Sequence, residues 1–469
     1  MEIELIQELK SYTFEELKVL FNKDEDKLKN ILKNLSLLNF MRKINSNLSK
    51  KELESLLETE SLENIKESLE KNIYIFKYVG ILAIGDKYYF SYPKYIKDIY
   101  QDKNNKYKKF IQILDVIQKY SSKGGKFANR IDSEENIDFN ILSFTLDLLK
   151  DYFENGLYSN NKIIIEENGN GDIFWDKTIN EKTPYFSNNI PIYLDMYTIE
   201  SQINEDSLFR RLHKSILTLC CKEIEKILDI LNIEKVFLSS ETLDDFGNKE
   251  YLIFKLEQEI SQQFVTVKQK LLYKLIRYIK RESIPKNEDT LSFIGTNSFN
   301  LVWEDVCQSV MCNSLYKTLY ELKLNPIDNM SKYSLLSEVI CKPQWKHNIS
   351  DKIFYAKGTL IPDIVTVKDG TLSIYDAKYY NIQLNEKGVK HQPGIEDITK
   401  QYLYELAYKK FITLNKLKMI ENAFLFPIDE IEETEVGYAT FDIFLGVDLK
   451  EIKVILKPCS KMFEKYLST

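Results

Sequence analysis

The spacing of hydrophobic positions changes several times along the chain, and each change marks a predicted element. The first segment has helical spacing, because TFEELKVLFN and DEDKLKNILKNLSLLNFM place apolar residues three and four apart. Thr13 and Asp24 are the first residues of these two runs and are predicted N-caps. Two short helices followed by a longer one therefore predict a helical module over residues 1–70.

This N-terminal module has two interpretations that the pattern leaves open. Its order of helices is similar to a winged-helix or helix-turn-helix domain. A helical docking module explains the same spacing equally well, since amphipathic helices alone do not specify DNA contact.

The period then shortens to that of strands. IYIFKYVGILAIGDKYYFSYPKYI is dense in Ile, Val, Tyr and Phe, and DYFENGLYSNNKIIIEENGNGDIFWDKTI mixes turns with short strands. Residues 71–204 are therefore predicted to be a β-rich region. Residues 205–290 return to helical spacing and predict a connector, whose helix over 266–281 is basic on one side. That basic side could track a phosphate backbone or be an ordinary solvated face.

The last third, residues 291–469, alternates both patterns. A helix through LVWEDVCQSVMCNSLYKTLYEL precedes a hairpin, a second helix through DITKQYLYELAYKKFITL, a strand NAFLFP and a strand pair ending in EIKVILKP. This order predicts a mixed sheet flanked by helices. The whole chain of 469 residues is thus predicted to be a multi-domain α/β protein.

Composition narrows the class of protein. Hydrophobic residues make up 44% and charged residues 29% of the chain, which is typical of a globular protein. The net charge of −7 excludes binding of nucleic acid by bulk attraction, so any DNA contact needs local basic patches or a partner. No stretch matches G-x-x-x-x-G-K-[ST], so no nucleotide site of this chain's own is expected.

Cysteine usage and the N-terminus indicate a compartment. The six cysteines show no CxxC spacing and there are three histidines, so reduced, buried thiols are expected in place of a zinc site or disulfides. No basic leader and no apolar run of membrane-spanning length occurs. We expect a soluble, cytoplasmic protein.

The hairpin IPDIVTVKDGTLSIYDAKYY carries charge where a buried strand should not. With Asp369-Gly370 as a two-residue turn, Asp363 falls directly opposite Asp376, on one face of the hairpin. Lys378 lies two residues further along the same face. The turn side of that face is apolar, so two carboxylates and an ammonium are expected at the end of a buried surface.

Opposed carboxylates on a buried face destabilise a fold unless a proton or a cation lies between them. Two carboxylate ligands suit Mg²⁺, and a nearby lysine can position water or stabilise charge on a phosphate. The pattern therefore indicates metal-assisted phosphodiester hydrolysis. A surface hairpin with scattered charges is the alternative, and a three-residue turn would separate the two aspartates.

The surroundings of this motif carry a family resemblance. Pro362-Asp363 and Asp376-Ala377-Lys378 resemble the PD-(D/E)xK nuclease signature. SFNLVWEDVC before it and DITKQYLYELAY after it resemble the LlaJI-type restriction endonuclease family and, more distantly, McrC nuclease subunits. YVGILAIGDKYYFSYPKY, DYFENGLY and GDIFWDKTI extend the likeness from about Tyr74 to the C-terminus. Residues 1–70 lie outside it.

The resemblance implies roles for individual residues. Asp363 and Asp376 match the metal-binding acids, Ala377 would add a backbone carbonyl ligand, and Lys378 matches the catalytic lysine. The implied cofactor is Mg²⁺, with Mn²⁺ as an alternative.

Two further residues match positions outside the hairpin. Glu304 matches an accessory acid on the preceding helix, and Gln401 matches a glutamine that orients the site or the DNA backbone. A solvated glutamate and a surface amide are their alternatives. Trp303 and Trp345 are expected in the core.

The resemblance also implies partners. These are double-stranded DNA, an McrB-like AAA+ GTPase ring, and a second copy of the chain for cutting both strands, with no membrane. The implied biology is anti-phage restriction. Two alternatives remain open: a self-sufficient type II restriction endonuclease that reads DNA through its N-terminal helices and the 266–281 helix, and a DNA-binding protein with an inactive nuclease fold.

Overall fold

A computed structural model describes residues 3–44, 73–85, 87–97, 103–123, 140–188, 190–281, 291–328, 330–348, 352–444 and 448–469. The chain forms two compact units: residues 1–136 with 288–469, and residues 137–287. Among the helices of the described ranges, none combines the length and apolarity needed to cross a membrane.

The described ranges contain twelve α-helices. In chain order they are α1 (Phe14–Phe21), α2 (Glu25–Leu37), α3 (Lys103–Ser122), α4 (Ile141–Asn155), α5 (Trp175–Glu181), α6 (Leu208–Glu223), α7 (Glu225–Ile230), α8 (Lys249–Gln262), α9 (Thr266–Arg281), α10 (Phe299–Val310), α11 (Ile395–Leu414) and α12 (Cys459–Ser468).

The strands of these ranges form seven sheets and ribbons. In chain order they are β1 (Glu4–Gln7), β2 (Ser11–Thr13), β3 (Met41–Ile44), β4 (Ile73–Phe76), β5 (Val79–Ile84), β6 (Lys87–Tyr92), β7 (Asn161–Glu167), β8 (Asp172–Ile173), β9 (Tyr185–Ser187), β10 (Ile190–Ile192), β11 (Tyr197–Ile203), β12 (Leu291–Thr296), β13 (Gln344–Lys346), β14 (Ile353–Tyr355), β15 (Ile364–Lys368), β16 (Thr371–Ala377), β17 (Gln383–Asn385), β18 (Gly388–Lys390), β19 (Lys418–Ile428), β20 (Thr434–Ala439) and β21 (Ile452–Pro458). The mixed α/β class predicted from the sequence is confirmed.

The two N-terminal helices begin where the sequence predicts. Thr13 caps α1 through a reciprocal pair of hydrogen bonds with Glu16, and the Asp24 carboxylate accepts a hydrogen bond of 2.9 Å from the Lys27 N–H. The strands β1 to β3 were not predicted, and β2, β4 and β3 form one antiparallel sheet in that order. The longer third helix of the predicted module falls on residues 45–72, outside the described ranges.

A four-stranded sheet with the order β1-β6-β5-β12 joins segments that are far apart in sequence. β1 runs parallel to β6, and the other neighbours are antiparallel. Its side chains share one core with α1 and α2, in which the rings of Phe21 and Tyr89 meet edge to face at 5.0 Å. Residues from three of the four predicted segments therefore belong to the same compact unit.

A five-stranded mixed sheet, β15-β16-β19-β21-β20, forms the C-terminal part of this unit. Its three central strands are parallel and both edge strands are antiparallel. Leu372 and Ile374 on β16 are buried against Tyr408 and Phe411 of α11. α10 and α12 also contact the sheet, at β16 and β21. The predicted sheet flanked by helices is confirmed.

The second unit combines helices with two small sheets. The helices α6 to α9 lie in the segment predicted to be helical. Within the described ranges, the segment predicted to be β-rich, residues 71–204, contains the strands β4 to β11, but it also contains the helices α3, α4 and α5. Apolar side chains are exposed on β7 to β11 and around them: Ile163, Ile165, Ile173, Trp175, Ile179, Tyr185, Phe186, Ile190, Ile192 and Leu194.

Of the two tryptophans predicted to lie in the core, one is buried and the other is exposed. Trp303 is fully buried, and its indole N–H donates a hydrogen bond of 3.3 Å to the carbonyl of Leu425. Trp345 is 69% exposed, so its prediction is wrong. The reason is that β13 and β14 form a separate ribbon whose six residues are all exposed. All six cysteines are free; four are buried, whereas Cys312 and Cys341 are exposed.

Candidate active site

The hairpin of β15 and β16 has the predicted turn. Asp369 and Gly370 both have positive φ angles, of 50° and 72°, which is the backbone of the two-residue turn that matches strand twist. Lys368 pairs with Thr371, and the ladder continues in this register to the far end of β15. The predicted register is therefore confirmed.

That register brings two acids together at the end of the hairpin. The ladder ends with Ile364 opposite Tyr375, so the next position outward sets Asp363 opposite Asp376. The Asp363 carboxylate accepts a hydrogen bond of 3.0 Å from the Ala377 N–H, which holds it against β16. Asp376 is only 7% exposed.

Lys378 contacts Asp376 and a further acid, Asp397. Its ammonium lies 2.8 Å from Asp376 Oδ2. It also lies 2.8 Å from Oδ1 of Asp397, in the first turn of α11. Burial acts to lower the pKa of Lys378, but the neighbouring carboxylates of Asp376 and Asp397 raise it above its ordinary value. The structure thus places Lys378 between one predicted carboxylate, Asp376, and one that was not predicted, Asp397, and these two keep its amine protonated.

The carboxylates are too crowded to be ionised together without compensation. Burial, followed by the charges of Asp376 and Glu304, raises the pKa of Asp363 to about 8. Burial also raises the pKa of Asp376, against the opposing effect of Lys378. A bound proton or an added cation would relieve this repulsion.

Glu304 lies close enough to take part in this crowding. It projects from α10, is half-buried, and accepts a hydrogen bond of 3.1 Å from the Gln308 amide. Burial and then the charge of Asp376 raise its pKa. It is therefore not the freely solvated glutamate of the alternative interpretation.

Gln401 lies in the core beside this cluster. It is fully buried, and its amide N–H donates a hydrogen bond of 3.4 Å to the Ala423 carbonyl on β19. Ala423 pairs with Tyr375, the neighbour of Asp376. A side chain without exposed surface does not reach a DNA backbone in this conformation. An orienting role for Gln401 through β19 stays a prediction.

Three residues of α11 belong to the site and were not predicted. They are Asp397, which holds Lys378; Lys400, whose charge acts to lower the pKa of Asp376; and Tyr404. Burial, followed by the charges of Asp376 and Asp363, raises the pKa of Tyr404 to about 12. Helical spacing supplies the missing signal, because positions 397, 400, 401 and 404 share one face of a helix.

Asn313 is a further unpredicted residue, and it fixes the backbone around Asp363. Its amide N–H donates a hydrogen bond of 3.0 Å to the Asp363 carbonyl. Its side-chain carbonyl accepts hydrogen bonds of 3.1 Å from the backbone N–H groups of Val365 and Leu315. No sequence signal distinguishes this asparagine from others in loops.

The donor set fits a magnesium ion better than a softer metal. Among the described residues, no three or more His, Cys, Asp or Glu side chains are arranged to hold a metal ion. Mg²⁺ needs only one or two carboxylates, completed by water and substrate phosphate. Asp363, Asp376 and the Ala377 carbonyl could supply these ligands. Asp376 Oδ2 lies 2.8 Å from the Lys378 ammonium, so a metal ion bound there would share this oxygen with the lysine or displace it.

Sequence comparison identifies the family, which is one of restriction endonucleases. Residues 78–458 match the profile of the LlaJI restriction endonuclease family. The chain therefore belongs to that family, and the resemblance seen in the sequence is confirmed.

Comparison with individual proteins gives one curated relative of note. The Type II restriction enzyme BsuMI component YdjA from Bacillus subtilis (strain 168) is 31% identical over 307 residues. The match covers 64% of this chain and 60% of that relative, so it spans less than two thirds of the relative's length.

Two solved assemblies from Thermococcus gammatolerans show a weaker likeness. In McrB AAA+ hexamers with bound McrC, the aligned chain is 13% identical, with a TM-score of 0.39 and coverage of 100% of this chain and 99% of that one. In the McrBC complex, the aligned chain is 14% identical, with a TM-score of 0.25 and coverage of 67% of this chain and 89% of that one. With TM-scores below 0.5, neither likeness carries an inference about this chain.

Proposed function

We propose that this chain is a Mg²⁺-dependent DNA endonuclease and the cleavage subunit of a restriction system. The observation that carries the proposal is the convergence of Asp363, Asp376 and Lys378 at the end of one hairpin. Membership of the LlaJI restriction endonuclease family supports the same reaction and a double-stranded DNA substrate.

Each side chain has a distinct task in this proposal. Asp363 and Asp376 bind the metal, with the Ala377 carbonyl as a third ligand. When bound, Mg²⁺ supplies a Lewis acid for the phosphate and a more acidic water. Lys378 stays protonated because neighbouring carboxylates raise its pKa, so it stabilises negative charge on the phosphate and does not serve as a base.

Glu304 supports the reaction from α10. Because its pKa is raised, Glu304 keeps its proton to a higher pH than a solvated glutamate does. It can therefore hold or release a proton beside the two aspartates. We assign it the role of an accessory acid. Gln401 is assigned a positioning role through its hydrogen bond to β19.

We further propose that the chain works with an NTPase partner of the McrB-like AAA+ class. The sequence has no P-loop, so nucleotide hydrolysis coupled to cleavage would come from another protein. The exposed apolar side chains around β7 to β11 are typical of a protein-binding surface. The relative from Bacillus subtilis is named as a component of its enzyme, which agrees with a multi-subunit system.

A plasmid cleavage assay tests both proposals. The full chain is incubated with Mg²⁺ or chelator, with and without the NTPase partner and GTP. Cleavage that requires Mg²⁺, partner and GTP supports the subunit. Cleavage by the chain alone supports the self-sufficient type II alternative. No cleavage in any mixture favours the DNA-binding protein with an inactive nuclease fold.

The same assay needs variants that separate chemistry from folding. Asp363→Asn and Lys378→Ala are expected to abolish cleavage. Asp369→Asn is the matched control, because it makes the same change in the same hairpin at an exposed turn position where asparagine is also favoured. Cleavage retained in Asp363→Asn, or lost in Asp369→Asn, would contradict the assigned site.

A further inference from the structure

Strands β13 and β14 form a two-stranded ribbon of their own. Gln344 pairs with Tyr355, Trp345 with Phe354, and the ladder is extended by hydrogen bonds from Ala356 N–H to the Pro343 carbonyl and from His347 N–H to the Lys352 carbonyl. The Thr359 hydroxyl donates to the Cys341 carbonyl and closes the base. Residues 341–348 and 352–359 therefore form a defined arm.

Large apolar side chains on this arm face solvent. Trp345, Phe354 and Tyr355 are 69%, 58% and 64% exposed. Trp345 and Phe354 are directly opposed, so both project from the same face of the ribbon. Aromatic side chains this exposed bury little apolar surface within the chain, which is typical of a surface that contacts a ligand.

The charge of the arm indicates the kind of ligand. Its register sets Lys342 opposite Lys357, and strand alternation adds Lys346 to their face, which is the one opposite Trp345 and Phe354. Like charges opposed across strands are unfavourable unless an anion lies between them. Between residues 341 and 362 the sequence has four lysines and a single acid, Asp351. The arm thus complements a polyanion with an apolar component.

The arm is also tethered next to the candidate active site. Lys357 precedes Asp363 by six residues, which bounds their separation at about 20 Å even for a fully extended chain. That distance corresponds to about six base pairs, because successive phosphates of one strand are about 3.4 Å apart along the duplex axis. A duplex with a phosphate at Asp363 therefore passes within reach of the arm.

We propose that this arm binds the DNA duplex beside the scissile phosphate. The inference rests on the proposed nuclease function and extends it to a DNA-positioning element. Trp345 and Phe354, on the face turned towards the DNA, contact sugar or base edges in the groove, and the long side chains of Lys342, Lys346 and Lys357 on the opposite face reach past the edges of the ribbon to phosphates. A two-stranded ribbon has the width to enter a major groove.

The contribution of the arm to DNA binding can be measured at equilibrium in the presence of chelator, which removes the metal needed for cleavage. The variant Lys342→Ala/Lys357→Ala is titrated with a duplex of about 30 base pairs over a range of salt, alone and with the NTPase partner. We expect affinity to fall about tenfold or more at low salt, and the slope of log affinity against log salt to shrink by about 1.8. Trp345→Ala is expected to weaken binding while leaving the salt slope unchanged.

Two controls separate charge from folding. Lys461→Ala/Lys465→Ala removes the same charge from exposed positions of α12 and is expected to bind as the wild type. Lys342→Arg/Lys357→Arg keeps the charge and is expected to retain affinity. All variants are checked for an unchanged melting temperature, which the exposure of these positions predicts.

The outcomes distinguish this inference from the proposed function. Wild-type affinity and slope in Lys342→Ala/Lys357→Ala would overturn the arm's role, even if the wild type cleaves DNA. Specific loss of binding in that variant, with no cleavage by the wild type under any condition, would support the arm and overturn the nuclease proposal. A wild type that neither binds nor cuts DNA, alone or with its partner, would overturn both.

Discussion

The Lys378 ammonium lies 2.8 Å from Asp397 Oδ1, the same distance that separates it from Asp376 Oδ2. Asp397 comes from α11 and Asp376 from β16, so the amine joins a helix to the sheet. If Asp376 turned towards a bound metal, the Asp397 carboxylate would still hold the Lys378 ammonium in place. We therefore propose Asp397 as a positioning residue for Lys378.

Replacing Asp397 should weaken this positioning without removing the amine. We expect Asp397→Asn to lower the single-turnover cleavage rate about tenfold, with DNA affinity unchanged, because the lysine samples more orientations. Asp397→Glu should recover part of the rate. An unchanged rate in Asp397→Asn, measured with saturating DNA, would show that Asp376 alone positions the lysine.

The raised pKa of Asp363 predicts a pH dependence of stability. The folded state keeps a proton to about pH 8, whereas an unfolded aspartate releases it near its ordinary value of 3.8. The stabilisation is therefore complete below the unfolded pKa and is lost as pH rises through about 8. In chelator, the free energy of unfolding should fall by up to about 1.4 kcal/mol per pH unit over this window.

Asp363→Asn isolates this contribution from other titrating groups. Its free energy of unfolding in chelator should vary less with pH than that of the wild type, and chemical denaturation at several pH values measures the difference. Asp369→Asn, at the exposed turn, should keep the wild-type dependence. Parallel curves for wild type and Asp363→Asn would mean that Asp363 is ionised in the folded protein at neutral pH.

Removing one buried charge should stabilise the metal-free protein. Asp376→Asn relieves repulsion with Asp363 and Glu304, while Lys378 keeps its partner Asp397. We expect the free energy of unfolding in chelator to rise by about 1 kcal/mol. Added Mg²⁺ should raise the melting temperature of the wild type and not of the variant. A lower or unchanged melting temperature in chelator would contradict the repulsion.

Asn313 should matter for activity as well as for stability. Asn313→Ala loses three hydrogen bonds around Asp363, at an expected cost of about 1–3 kcal/mol, and should also lower the cleavage rate. Asn415 is the matched control, since its side chain also makes three hydrogen bonds to backbone groups, at the opposite end of α11 from Asp397. Asn415→Ala should cost similar stability and leave the cleavage rate unchanged. Equal cleavage rates in the two variants would argue against a specific role of Asn313.

Local signals made much of the hairpin predictable. Asp369-Gly370 set the turn, the turn set the register, and the register set Asp363 opposite Asp376. The caps Thr13 and Asp24 were readable for the same reason, because their hydrogen bonds span only three residues. Geometry of this kind depends on residues only a few positions apart, so it can be predicted from the sequence.

Tertiary placement was not predictable in the same way. Asp397 enters the site only because α11 packs over β16, and β1 pairs in parallel with β6 across more than 80 residues. Trp345 has the size and apolarity of a core residue, yet all six residues of β13 and β14 are exposed. Neither outcome depends on the neighbours of these residues in sequence.

The most direct test of the central claim is an anomalous difference map from crystals of the full chain soaked in Mn²⁺. The two opposed aspartates are predicted to hold a peak within coordination distance of Asp363 and Asp376, and Asp363→Asn should lose it. No peak at these residues in crystals where the site is open to solvent, or an equal peak in Asp363→Asn, would contradict a metal-dependent nuclease built on this hairpin.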